Sequence, residues 1–317
     1  MDIQKYHYEA VEVMNEVKKT IIGKDDCIQN VMMAIIAGGH ILIDDIPGVG
    51  KTSLAMAFAR AMNLDNRRMQ FTPDVMPSDI LGFSMYNKKE DEFQYQEGTI
   101  MCNLFLADEI NRTSPKTQSA LLEVMEENKV TVDGVTRPVP EPFIVIATEN
   151  PIGSVGTQLL PESQLDRFMI CITMGYPSLE NEIAIAKGTG NDEIVENVNS
   201  IIDGEELIRI QQCVQKIHIS DKLYTYICTL VHETRNQPMI ELGVSPRGTI
   251  ALVNMVKAAA FLDNRDYAVP DDVIKVFGSV VAHRLVLSAK ARVNNTDAET
   301  LLQEIIQRVK KPGVRDR

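Results

Sequence analysis

Short, nearly continuous apolar runs alternate with amphipathic ones in the first half of the chain. Residues 40–44, 68–71, 103–107, 143–148 and 168–172 read as five buried strands. The stretches 52–62 and 115–127 between them carry helical spacing, and residues 1–20 read as a helical lead-in. Strands apolar on both faces, separated by helices, predict an α/β unit with a five-stranded parallel sheet between helices.

After Pro177 the strand pattern stops. Residues 179–187, 205–216, 221–234, 247–262, 271–279 and 298–309 show helix-like apolar spacing, with Gly, Asn and Asp in the gaps. The division predicted is an α/β domain over 1–176 and an all-helical domain over 177–317. Two stretches break the alternation in the first domain. Residues 129–139 place alternating apolar positions around Asp133-Gly134, a strong hairpin signal. Residues 83–95 put aromatics on both sides of a charged tip, a weaker one. The final residues, 310–317, read as a frayed tail.

Composition narrows the function classes. The chain has 317 residues, 32 Lys plus Arg against 44 Asp plus Glu, and a net charge of −12. That balance argues against a general nucleic-acid binder, because phosphate-backbone affinity requires clustered basic residues. Apolar residues at 44% and charged ones at 24% exclude a disordered or fibrous chain. No apolar run approaches the ~18 residues of a membrane span, and no signal peptide is recognisable. Five cysteines without CxxC spacing read as reduced buried thiols of a cytoplasmic protein.

The sharpest chemistry lies at Pro47-Gly48-Val49-Gly50-Lys51-Thr52, between a strand and an Ala-rich helix, with Ser53 counted among the nucleotide-binding residues. Glycines let backbone N–H groups turn inward, and a helix N-terminus adds positive potential, so the segment reads as a phosphate loop. Lys51 is placed for the β- and γ-phosphates and Thr52 for Mg²⁺. The full pattern has glycine where this chain has Asp45, which predicts strain at the loop entrance or slight repulsion of phosphate. A second apolar run ends in Asp108-Glu109. Following a phosphate loop, the first acid suits Mg²⁺, usually through water, and the second suits orientation and deprotonation of an attacking water.

Several segments resemble the MoxR family of AAA+ ATPases: residues 45–52, Ala107-Asp108-Glu109-Ile110-Asn111-Arg112, 115–127, 147–151, 160–168, and Val244-Ser245-Pro246-Arg247. The resemblance runs in order from about residue 21 to 284. It implies a P-loop AAA+ core followed by a helical lid, binding ATP and Mg²⁺. It also implies that Ile21, Ile22 and Gly23 pack on adenine, that Asn150 is the sensor-1 residue, and that Arg167 is an arginine finger reaching a neighbouring subunit. Arg247 matches sensor 2. Ser245 as N-cap and Pro246 as first helical residue start the lid helix there, with Arg247 expected to face the cleft of its own chain. Arg112 and Lys116 read equally as neighbour contacts or as a solvated helix start.

Position 149 departs from the family's usual Gln and is Glu149. The two hairpins correspond to the helix-2 insert and the pre-sensor-1 hairpin, placed toward the axis or top of a ring. The function implied is Mg²⁺-dependent ATP hydrolysis by a homo-oligomer, a hexameric ring, coupled to chaperone-like remodelling of a client, with von Willebrand factor A domain proteins as expected partners. Two other readings stand beside it: the motor of a chelatase-like metal-insertion complex, and a nucleotide-gated assembly scaffold with incidental hydrolysis.

Overall fold

The computed structural model describes residues 3–150, 160–187 and 197–313. Pro151 of the resemblance and residues 314–317 of the expected frayed tail lie outside them. Two helices lead in, α1 (Ile3–Thr20) and α2 (Asp25–Ile36). The sheet strands follow: β1 (Ile41–Asp44), β2 (Asn66–Gln70), β5 (Leu104–Asp108), β8 (Ile144–Glu149) and β9 (Ile170–Ile172). They form one parallel sheet in the order β2-β5-β8-β1-β9. All five strands predicted from the apolar runs are present, with ends shifted by one or two residues.

Successive strand residues point to opposite faces, and the two faces have separate cores. Ile41, Ile43, Leu106 and Ile146 face the helical side built by α1, α2 and α3 (Lys51–Ala61). Leu42, Phe105, Ala107 and Val145 face α5 (Pro115–Glu127). Strand β2 carries Asn66, Arg67 and Arg68, an edge strand whose charges guard an unpaired backbone. Both predicted hairpins form: β3 (Gly82–Asn87) with β4 (Glu92–Glu97), and β6 (Lys129–Val132) with β7 (Val135–Pro138). The Arg137 guanidinium lies 4.0 Å over the Tyr95 ring and joins the two. A short helix, α4 (Pro77–Leu81), precedes the first hairpin, and α6 (Glu162–Leu165) precedes β9.

The second half is helical as predicted: α7 (Leu179–Ala186), α8 (Gly204–Gln215), α9 (Asp221–Asn236), α10 (Pro246–Leu262), α11 (Pro270–Val281), α12 (Ala289–Val293) and α13 (Ala298–Arg308). One correction applies, because β10 (Ile240–Leu242) and β11 (Val286–Leu287) pair antiparallel. Strands of two or three residues are too short to show a period-two pattern. The core of the α1 face continues without a break into α8, α10 and α11. Cys27, Cys102 and Cys213 are buried thiols as expected, but Cys228 is exposed. Among the described residues no helix is long and apolar enough to cross a membrane.

Candidate active site

The phosphate loop connects β1 to α3 at the C-terminal edge of the sheet. Gly48 and Gly50 have φ of 83° and 93°, a region that favours glycine, and Gly50 is the N-cap of α3. Pro47, Val49 and Ser53 line a cavity of about 410 Å³ with Ile21 and Ile22, two residues of the segment expected to pack on adenine. Gly23, with φ 71°, sits against the Asn181 side chain, where a Cβ would clash. Lys51 is only 7% exposed, and its ammonium donates to the carbonyls of Asp45 and, at 2.9 Å, Glu149. Burial lowers its pKa, opposed by the negative charges of Asp45, Asp108, Asp44 and Glu109. Thr52 follows at the first turn of the helix.

Asp45 is not among the positive-φ residues, so its backbone shows no left-handed strain at the loop entrance, and its side chain is fully engaged there. Its carboxylate accepts from the Ile46 N–H at 2.7 Å, from the Gly175 N–H at 2.6 Å, and from the Met174 N–H. The Lys24 ammonium grips the same segment from the carbonyl side, at 2.6, 3.0 and 2.9 Å from Met174, Gly175 and Tyr176. The link to α7 is therefore held by both its donors and its acceptors, which places Ile185 and Glu182 over the cavity. Nothing in the spacing of Lys24 and Asp45 reveals that they share this segment.

Two acids and an amide meet at the ends of β5 and β8. Asp108, 8% exposed, accepts from the Thr148 hydroxyl at 2.6 Å and pairs with Arg68 at 2.7 Å. Glu109 adopts φ 57°, a strained conformation for a non-glycine residue. Its N–H donates at 2.9 Å to the same Thr148 hydroxyl, which fixes that turn. One carboxylate oxygen accepts from Asn150 Nδ2 at 2.6 Å and the other from Arg112 at 2.7 Å. Burial raises the Glu109 pKa, but the hydrogen bonds from Arg112 and Asn150 and the Arg112 charge outweigh it, so the carboxyl titrates below its ordinary value. Asn111 donates to the Asn150 carbonyl at 3.0 Å and holds the residue expected to act as sensor 1. The sequence pattern singles out Asp108 and Glu109, and the family resemblance adds Asn150. Neither brings out Arg68, Thr148 or the role of Arg112, because a basic edge strand and a strand-terminal threonine have ordinary structural uses.

Arg167 and Arg247 lie at the opposite edge of the sheet. His40, which precedes β1, contacts the Met125 carbonyl at 3.0 Å and accepts from the Val145 N–H. The last turn of α5 is therefore at the N-terminal ends of the strands. There Glu126 pairs with Arg167 at 2.9 Å through one oxygen and with Arg247 through the other. β1 alone, at about 3.3 Å per residue, sets the two edges ~10 Å apart before loops are added. This corrects the expectation that Arg247 faces the cleft of its own chain. Ser245 caps α10, with Pro246 in its first turn as predicted, but capping fixes where a helix begins and not which edge it approaches.

The donors at the C-terminal edge suit a hydrated Mg²⁺ bound with phosphate. Thr52 and Asp108 supply hard oxygens, and Mg²⁺ prefers one or two protein oxygens plus phosphates and water to an all-protein cage. Among the described residues no group of three His, Cys, Asp or Glu could form such a cage.

Comparison with known proteins gives the family of this fold. Residues 40–170 match the model of the ATPase family associated with various cellular activities (AAA), and residues 232–305 match the AAA lid domain. YeaC of Bacillus subtilis, described as uncharacterized, is 45% identical, covering 96% of this chain and 94% of that protein. The chaperone MoxR1 of Mycobacterium tuberculosis is 37% identical, covering 94% of this chain and 81% of its own. A solved structure from Cytophaga hutchinsonii superposes with a TM-score of 0.91 at 35% identity, over 98% of this chain and 97% of the other. A glycine loop at a helix start, an acidic pair, a neighbouring amide and a helical lid thus coincide with similarity over most of the chain, and the chain belongs to the MoxR family of AAA ATPases.

Proposed function

We propose that the chain hydrolyses ATP with Mg²⁺ at sites shared between neighbouring subunits of a homo-oligomeric ring, a hexamer, and uses the cycle to remodel a client protein. One observation carries this reading: the phosphate loop, Asp108, Glu109 and Asn150 occupy one edge of the sheet, and Arg167 and Arg247 the other. A single chain holds both halves of a site and cannot close them on each other. In a head-to-tail ring the arginine edge of one subunit meets the nucleotide edge of the next.

In this mechanism Gly48, Gly50, Lys51 and Thr52 hold the triphosphate, with Ser53 extending the helix start. Ile22 and Gly23 border the base. Bound Mg²⁺ would neutralise phosphate charge, with Thr52 and Asp108 as its protein oxygens. Glu109 takes the proton of the attacking water, and Asn150 orients that water after releasing the carboxylate it holds. Arg167 and Arg247 of the adjoining subunit balance charge developing on the γ-phosphate. The client face is the β3–β4 hairpin, where Phe83, Met85 and Phe93 are exposed. Von Willebrand factor A domain proteins are the proposed clients, and the name of MoxR1 as a chaperone supports remodelling as the output.

Mixing two inactive variants tests the shared site. Arg167→Ala subunits keep a phosphate loop, and Lys51→Ala subunits keep the finger, so mixed rings regain activity where the intact halves meet. Mixed rings with no activity above the separate variants would overturn the proposal.

A further inference from the structure

Asp166, the residue before the proposed finger, is held by the lid more firmly than by its own domain. One carboxylate oxygen accepts from the Arg284 Nε at 2.8 Å, and the other from the Ser245 hydroxyl at 2.8 Å. Arg284 is 5% exposed and also donates to the carbonyls of Phe168 at 2.6 Å, Met169 at 3.2 Å and Asp166 at 3.3 Å. A single buried guanidinium therefore grips the chain across the finger, from residue 166 to residue 169. Close approach is possible because residue 248 is glycine: a Cβ there would lie 2.8 Å from the Arg284 Cδ. Ser245 also caps α10, accepting from the Gly248 N–H at 3.1 Å, and Arg247 belongs to that first turn. Asp166 thus adjoins Arg167 in sequence and is hydrogen-bonded to the cap of the helix that carries Arg247. On the far side, Glu126 bridges the two arginines.

We propose that Asp166 is a positioning residue which, through Ser245 and Arg284, makes Arg167 and Arg247 one rigid unit, so that the lid and the finger approach the neighbouring subunit's γ-phosphate together. The inference deepens the shared-site reading and rests on it. It assigns Asp166 no contact with nucleotide. Its effect is geometric: a guanidinium displaced by about 1 Å from developing charge loses roughly 10²-fold in rate. Binding of ATP to the chain's own phosphate loop, at the other edge of the sheet, does not involve Asp166.

The test uses Asp166→Asn in full-length rings, with Arg167→Ala as the reference. The expected result is a kcat between ~10- and ~100-fold lower, an ATP KM within roughly threefold of wild type, and unchanged ring assembly. Mixing with Lys51→Ala subunits should restore activity to the extent seen for Arg167→Ala, since the defect then belongs to the subunit donating the arginines. Should Asp166→Asn fail to fold, Ser245→Asp carries the test. Aspartate caps a helix as well as serine does, but it sets a like charge against Asp166, and the same kcat loss and mixed-ring rescue are expected. If Arg167→Ala is rescued while the Asp166 or Ser245 variant is not, or if that variant turns over normally, positioning by Asp166 is refuted and the shared site stands. If Arg167→Ala itself is not rescued, the shared site fails first.

Discussion

Glu149→Gln should stabilise the protein in a manner that depends on pH. Glu149 lies level with Asp44 on adjacent strands, and its Oε1 is buried with no hydrogen-bond partner among the described residues. Burial, reinforced by the Asp44 charge and only partly offset by Lys51, pushes its carboxyl from an ordinary 4.5 up to about 7. A tenfold displacement of a proton equilibrium corresponds to about 1.4 kcal/mol, so ionised Glu149 costs the fold roughly 3 kcal/mol at pH 8. Between pH 4.5 and 7 the folded chain holds this proton more tightly than the unfolded chain, so stability contributed at this position falls as pH rises. The glutamine amide is neutral throughout and nearly the same size. Its advantage should be roughly 3 kcal/mol at pH 8 and under about 1 kcal/mol at pH 5. Thermal melts of both proteins across pH 5–8.5 check this, with a Tm difference of several degrees at the alkaline end. Equal differences at pH 5 and pH 8 would refute the reasoning, because a packing effect does not titrate. With a triphosphate in the loop, added negative charge should hold the proton more firmly still, so ATP binding near neutrality should take up protons in calorimetry run in two buffers.

Other variants address the remaining residues. Lys51→Ala removes the loop's buried cation and should abolish detectable ATP binding by fluorescence titration; retained tight binding would show that the triphosphate lies elsewhere. Glu109→Gln should bind ATP but turn over at least ~100-fold more slowly in a phosphate-release assay, and ordinary turnover would remove Glu109 from the base role. Arg112→Ala deletes the ion pair that helps hold the Glu109 carboxyl below its ordinary pKa. The acid limb of the rate profile should then move to higher pH, and an unmoved limb would mean that Arg112 does not tune the base.

The fold was legible because apolar strands buried on both faces belong to a sheet covered by helices, and the helix over residues 115–127 shows in its apolar spacing. Helix α2 was harder: residues 31–37 form an apolar run buried on all sides, which conceals the helical period. The phosphate loop and Asp108-Glu109 stood out because each lies at a strand end, where backbone geometry exposes side chains, whereas Asn150 came from the family resemblance alone. Arg247 shows what is not legible. Ser245 and Pro246 specify a helix start, but Asp166 and Arg284, some 80 and 40 residues away in sequence, determine which edge of the sheet it meets. Likewise Asp45, a departure when read locally, is satisfied by amides about 130 residues later.

The most direct measurement of the central claim is the ATPase rate per subunit as protein is diluted, with oligomer mass followed on the same samples. A site completed by a neighbour predicts that the rate per subunit tracks the assembled fraction and falls toward zero for the monomer. A monomer that turns over ATP as fast per subunit as the ring would contradict it.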